Sequence, residues 1–201
     1  MTRLRTAILI SGRGSNMEAI LAAATDPSYP SLPVLVASNR PDAKGLETAA
    51  AQALSTAAVD HKPFGNDREA FERALNEVLL AHQTEFVVLA GFMRILTPWF
   101  VAQWRHRMIN IHPSLLPKYP GLNTHQRAID AGDREAGCSV HWVTEGVDEG
   151  AVIDQARVPV LTDDTAETLA TRVLAQEHTL YPRAVRIAAS EILAKKEPLQ
   201  T

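Results

Sequence analysis

The chain has 201 residues, 46% of them hydrophobic and 21% charged, with 20 Lys plus Arg against 23 Asp plus Glu for a formal net charge of -3. That length favours one domain with a full core, and the composition, free of charge blocks and low-complexity tracts, excludes wholesale disorder and coiled coil. The slight acidity gives no overall attraction to nucleic acid or an anionic membrane, so an anionic ligand has to be held locally.

Cys138 is the only cysteine, which excludes an internal disulfide and a thiol-based zinc site and fits a reducing cytosol. The apolar stretch behind Arg3 and Arg5 stops at Ile10, too short for a secretory core. Phe86 to Met93, the longest other apolar run, is far below membrane-spanning length. The expected location is cytoplasmic.

Ala7-Ile8-Leu9-Ile10 is a uniformly apolar run ending in Ser11-Gly12-Arg13-Gly14, and from Ser15 onward Met17, Ile20, Leu21 and Ala24 recur at helical spacing. The pattern predicts strand, turn and helix, with Ser15 and Glu18 as a capping box. Leu32 to Ala37 reads as a second buried strand, Ala43 to Leu54 as an alanine-rich helix, and Thr56 to Val59 as a brief third strand. Phe71, Leu75, Val78 and Leu79 share one face of a helix predicted over Asn66 to His82, with Asn66 and Glu69 as its cap. Glu85 to Ala90 carries the continuous Phe-Val-Val-Leu-Ala of a strand covered on both faces, which places it centrally. Strands alternating with helices imply right-handed crossovers and a doubly wound sheet.

Beyond residue 90 the pattern loosens. Arg107 to Ile111 reads as a strand; Pro113, Pro117, Pro120 and Gly121 then forbid regular structure. A short helix is expected over Leu122 to Ala131, and Cys138 to Val143 and Val152 to Val160 alternate as two strands of a hairpin. Asp164 and Glu167 are expected to cap a long helix with Leu169, Val173, Leu180, Ala184, Ile187 and Ile192 on its apolar face, which Pro182 should bend or divide. The expected fold class is α/β: a Rossmann-like, doubly wound, mostly parallel sheet with helices on both faces and an antiparallel strand in the C-terminal half. No internal repeat or linker marks a second domain.

The turn Ser11 to Asn16 has two glycines that let the backbone approach a ligand, and amides at a helix start favour a phosphate. It lacks the third glycine of a dinucleotide fingerprint and the Gly-Lys-Ser/Thr ending of a nucleoside-triphosphate loop, which leaves a single phosphate or an ordinary tight turn. Asn110 and His112 fall on the same side of an extended backbone at a strand's carboxyl end. Side chains there line the ligand crevice of open α/β sheets, so a carboxamide and an imidazole can meet one substrate atom; a structural histidine is the alternative. Asp148 either orients and charges an imidazole or forms a polar turn. For Gly91 to Leu96, periodicity favours core packing over a grip on a flat heteroaromatic ring. His125 and His141 read individually as structural, and His61, His82, His106 and His178 lack metal-ligand spacing, so no metal is expected.

Taken together, Ser11-Gly12-x-Gly14-Ser15-Asn16, Val88 to Leu96, Asn110 to Pro117 and Asp148-x-Gly150 closely resemble, in order and separation, the phosphoribosylglycinamide formyltransferases of the folate-dependent purine pathway. The resemblance runs from the first strand to Gln176-Glu177-His178. It implies transfer of a formyl group from 10-formyltetrahydrofolate, as co-substrate, to the amine of glycinamide ribonucleotide. The implied partners are these small molecules, with no nucleic acid and no membrane, and the implied state is monomer or homodimer. Asn110, His112 and Asp148 match the catalytic trio. Gly14, Ser15 and Asn16 match the substrate-phosphate site and Glu177 a ribose contact. Arg68, Met93, Arg94, Ile95 and Leu96 match the folate side, as do Thr144, Glu145, Gly146 and Val147, which reverses the core-packing reading of the 93–96 loop. Ser139, His141 and His125 are given supporting roles.

The expected organisation is one domain over 1–201, with a phosphate-binding half at 1–100 and a catalytic, folate-side half at 101–201. Methionyl-tRNA formyltransferase and formyltetrahydrofolate hydrolase share the Asn-x-His and Asp arrangement but carry added domains for which 201 residues leave no room. A non-catalytic phosphosugar or folate-binding module is the remaining alternative. Arg13 and Asn123 depart from residues common in the family, and Gly146-Val147 varies, but none of these touches the trio.

Overall fold

Strand β1 (Leu4–Ile10) divides its side chains between two apolar clusters: Ala7 and Leu9 join one, Ile8 and Ile10 the other. Successive strand residues face opposite ways, so an unbroken apolar run needs cover on both sides. Strand β4 (Phe86–Leu89) divides likewise, with Phe86 and Val88 on one face and Val87 and Leu89 on the other. The computed structural model describes residues 2–196, and in it these strands are at the centre of a seven-stranded sheet.

The remaining strands and α-helices are α1 (Ser15–Ala23), β2 (Ser31–Ser38), α2 (Lys44–Ala51), β3 (Thr56–Ala58), α3 (Arg68–Ala81), α4 (Pro98–Gln103), β5 (Met108–His112), α5 (Thr124–Asp130), β6 (Glu135–Trp142), β7 (Val152–Pro159) and α6 (Ala166–Lys196). The sheet order is β3-β2-β1-β4-β5-β6-β7. Pairs from β3 to β5 are parallel, while β5/β6 and β6/β7 are antiparallel. Helices α1 and α6 cover one face through Met17, Ile20, Val173 and Tyr181, and α3 and α4 cover the other through Phe71, Leu75, Leu79 and Phe100. The four-residue spacing of Phe71, Leu75 and Leu79 stacks them on one stripe; burying each is worth about 1.5–3 kcal/mol.

The chain order reverses beside β1: β2 and β3 are laid down to one side, β4 to the other. Such a switch point leaves a crevice outside the carboxyl ends of the strands. No helix among the described residues is long and apolar enough to cross a membrane.

Several local expectations need correction. Ser15 does not cap α1; Gly14 does, with φ 78° and no side-chain cap bond, and Ser15 is already helical. A capping serine has non-helical dihedrals, and the left-handed glycine takes that position. Asp67, one residue after the expected Asn66, caps α3 by accepting from the Ala70 amide at 2.9 Å. At α6 the Thr165 hydroxyl accepts from Thr168 N–H and the Thr168 hydroxyl from Thr165 N–H, while Asp164 binds Leu161 N–H and Arg172. Pro182 does not divide α6, which is helical throughout Ala166–Lys196; the Pro182 carbonyl accepts from the Tyr29 hydroxyl at 2.7 Å. Ile187, expected on the apolar face, is 37% exposed. Helix α4 was not expected, because its six residues give too little periodicity to register.

Gly137 in β6 shows how tightly the hairpin closes: a Cβ there would collide with the Ala156 carbonyl of β7. Gly137→Ala is expected to destabilise the fold by about 1–3 kcal/mol through overpacking, read as a lower urea midpoint with unchanged slope.

Candidate active site

The Ser11–Asn16 turn leaves β1 at the switch point and lines a hollow of about 470 Å³. Gly14 holds φ 78°, and its backbone passes so near Gly45 and Met17 that a Cβ would lie 3.2 Å from the Met17 methyl. Ser11 knits three strand ends together: its hydroxyl donates to Asn39 Oδ1 at 2.5 Å after β2 and accepts from Met93 N–H at 2.8 Å after β4. Asn16 is buried at the wall, its amide donating to Glu177 of α6 at 2.6 Å. Burial pushes the Glu177 carboxyl up, against the lowering effect of that bond. Asn39, Arg40 and His61 line the hollow as well. They were missed as site residues, although their positions just after β2 and β3 carry the same strand-end signal that singled out Asn110 and His112.

Asn110 and His112 point together from β5. The antiparallel register sets Asn110 opposite His141 and His112 opposite Ser139 on β6. Asp148 arrives from the loop before β7, at φ 56°, followed closely by Gly150, where a Cβ would strike the Trp142 carbonyl. Asp148 Oδ2 lies 3.2 Å from His112 Nδ1 and Oδ1 lies 3.5 Å from His141 Nε2. Asn110 Nδ2 is 3.4 Å from the same His141 nitrogen. His112 Nε2 lies 2.9 Å from the Tyr119 carbonyl oxygen, so both ring nitrogens face acceptors, a geometry satisfied when both carry hydrogen. The His112 and Asp148 side chains are only 7% and 11% exposed. Burial works to raise the Asp148 carboxyl, but the His141 hydrogen bond, the Gly121 N–H at 2.9 Å and the charges of His112 and His141 outweigh it and hold it below the usual range.

Beside this cluster is an apolar cavity of about 460 Å³, lined by Asn110, His112 and Asp148 together with Met93 to Leu96 and Thr144 to Val147. Met93 and Ile95 are 70% and 66% exposed, so they do not pack into the core as their periodicity suggested. The far end of their loop is anchored by buried Glu72 of α3, which accepts from both the amide and the hydroxyl of Thr97. Arg68 lies outside the main cavity, in a neighbouring hollow shared with Met93, Arg94 and Ile95, its guanidinium 3.5 Å from the Ile95 carbonyl. Ser139 lies beneath the site: it donates to the Ser114 carbonyl and accepts from Leu116 N–H, fixing the chain that leaves β5. His125 lines neither cavity; its Nε2 is buried with no hydrogen-bond partner among the described residues, and burial, then the nearby His112, hold its pKa down. Among the described residues no group of three or more His, Cys, Asp or Glu is arranged to hold a metal ion.

Two cavities that adjoin at the Met93 loop, with a His–Asp pair on one wall, define an α/β enzyme for two small ligands. The chain belongs to the Formyl transferase family, which matches residues 4–185. It is 46% identical over 178 residues to phosphoribosylglycinamide formyltransferase of Escherichia coli K12, covering 89% of this chain and 84% of that protein. It is also 47% identical over 196 residues to the trifunctional purine biosynthetic protein adenosine-3 of Drosophila pseudoobscura pseudoobscura, covering 96% of this chain but only 14% of that longer protein. A crystal structure of phosphoribosylglycinamide formyltransferase from Brucella melitensis superposes with a TM-score of 0.88 at 50% identity, covering 94% of this chain and 96% of the other.

Proposed function

We propose that this chain transfers the formyl group of 10-formyltetrahydrofolate to the amine of 5-phosphoribosylglycinamide, the formylglycinamide ribonucleotide-forming step of de novo purine biosynthesis. The observation that carries this reading is the convergence of Asn110, His112 and Asp148 on the wall of the apolar cavity, which adjoins the Ser11–Asn16 hollow at Met93 and Arg94, in a member of the Formyl transferase family. The ribonucleotide phosphate sits against the backbone amides of Gly14, Ser15 and Asn16, with Glu177 toward its ribose. The pterin enters the apolar cavity between the 93–96 and 144–147 segments, and Arg68 meets the anionic glutamyl tail.

The substrate amine adds to the formyl carbon, so a C–N bond forms and negative charge gathers on the formyl oxygen. Asn110 supplies a donor for that charge, and His112 supplies a second as the Nδ1 hydrogen facing Asp148 turns to the oxygen. The bond to N10 then breaks, and Asp148, directly or through water, takes the proton the amine gives up and passes it to N10 as tetrahydrofolate leaves. No covalent enzyme intermediate and no metal takes part. Ser139, His141 and His125 act in support, the chain acts as one domain, as monomer or homodimer, and it works in the cytoplasm.

The test is spectroscopic: formyl loss from 10-formyltetrahydrofolate, measured with and without the ribonucleotide. Loss that requires the ribonucleotide is expected. Loss that ignores it would make the chain a hydrolase, and no loss would make it a binding module. The phosphate assignment carries its own prediction. Gly14→Val places a β-branched side chain at φ 78°, and titration calorimetry is expected to show ribonucleotide affinity at least tenfold weaker with folate affinity kept. Equal affinities would mean that the phosphate binds elsewhere.

A further inference from the structure

One loop touches both members of the His112–Asp148 pair. The Tyr119 carbonyl takes His112 Nε2 at 2.9 Å, and two residues later Gly121 N–H donates to Asp148 Oδ2 at 2.9 Å. The backbone that makes these contacts is an improbable one, with Tyr119, Gly121 and Asn123 all left-handed at φ 56°, 78° and 57°. Two of the three carry a Cβ, and such conformations persist where the surroundings over-determine them. Two side chains do this. Arg127 of α5 donates through Nη1 to the carbonyls of Pro120 at 2.6 Å and Leu122 at 3.3 Å, on either side of Gly121, and sets its guanidinium 5.1 Å from the Tyr119 ring centroid. Asp133, just beyond α5, accepts the Tyr119 hydroxyl at 2.8 Å and the Lys118 ammonium at 2.8 Å. Neither residue lines the two cavities of the active site.

We propose that Arg127 and Asp133 are positioning residues: they hold the loop that fixes the imidazole through the Tyr119 carbonyl and the carboxylate through the Gly121 amide. Their effect is exerted wholly through His112 and Asp148, so the proposal rests on the catalytic reading of that pair. A guanidinium that bridges two carbonyls and lies against the Tyr119 ring is hard to replace by another cation. A shift of about 1 Å in groups placed this way is enough to slow chemistry by an order of magnitude or more.

The experiment is steady-state kinetics on Arg127→Met, Asp133→Ala and Asp133→Asn, each checked for folding by its thermal transition. Arg127→Met and Asp133→Ala are expected to lower kcat about tenfold with both KM values within about twofold of the parent. Asp133→Asn keeps an oxygen acceptor for the Tyr119 hydroxyl and is expected to recover most of the rate. Placed in a His112→Ala background, Arg127→Met is expected to cost clearly less than in the parent, because the Tyr119 route is already gone and only the Gly121 hold on Asp148 remains to be lost. An unchanged kcat in folded Arg127→Met and Asp133→Ala overturns the proposal, as does a loss confined to KM or one that persists undiminished without His112. If His112→Ala itself retains normal activity, it is the catalytic reading that has failed.

Discussion

Replacing His112 with alanine is expected to lower kcat by about 100-fold or more, in the range for a lost acid/base or oxyanion donor, while both KM values stay close to those of the parent. The side chain does three things that alanine cannot. It lines the cavity wall where the proposed chemistry takes place, its Nδ1 lies 3.2 Å from Asp148 Oδ2, and its Nε2 lies 2.9 Å from the Tyr119 carbonyl. The fold itself is expected to survive. His112 is the last residue of β5, whose register with β6 rests on backbone pairs from Ile109 onward, and the two apolar clusters do not include it. Circular dichroism and the thermal transition test that separation. A folded His112→Ala enzyme with a near-normal rate removes the residue from the mechanism.

How far the sequence could be read depended on the range of the interaction. The central strands were legible because burial on both faces leaves a mark within four residues, as in Phe86 to Leu89. The pairing of Asn110 with His112 was legible for the same reason, since alternation fixes relative direction along one strand. What met them from elsewhere was not. Asp148 reaches His112 across 36 positions through a left-handed residue and a glycine pressed on the Trp142 carbonyl, and no periodicity encodes that approach; its role came from the resemblance. The 93–96 loop misled in the opposite direction: Met93 and Ile95 look like core residues by composition, yet they are exposed at a cavity rim because Ser11 and Glu72 fasten the loop at both ends. Caps failed by a single residue at Ser15 and Asn66, since the side chain that faces the orphan amides depends on backbone dihedrals that composition does not fix.

Asp148→Asn is the sharper test of electrostatics, because asparagine keeps the shape and an oxygen that can still accept from Gly121 N–H while removing the charge. It is expected to lower kcat by about 100-fold or more. The acceptor facing His112 Nδ1 is then neutral, and the proposed mechanism is left without a base for the amine proton. The pH dependence follows from the direction of the shift. Burial opposes ionisation of Asp148, but the His141 bond, the Gly121 amide and the flanking imidazoles prevail and its pKa is depressed below 3.8. In the proposed mechanism the ionised form is the working form, so its contribution to rate and to folding is fully present above the unfolded pKa and is lost only as pH falls through the depressed folded value. From about pH 5 upward the carboxylate does not titrate, and the ratio of parent to variant kcat owed to its own ionisation is expected to stay flat. Rate profiles of the two proteins over that window, with stability followed separately in acid, provide the check. A ratio that collapses between about pH 5 and 7, with the His112→Ala profile flat there, would show a carboxyl that titrates above the ordinary range and so is not held by the imidazoles that flank it.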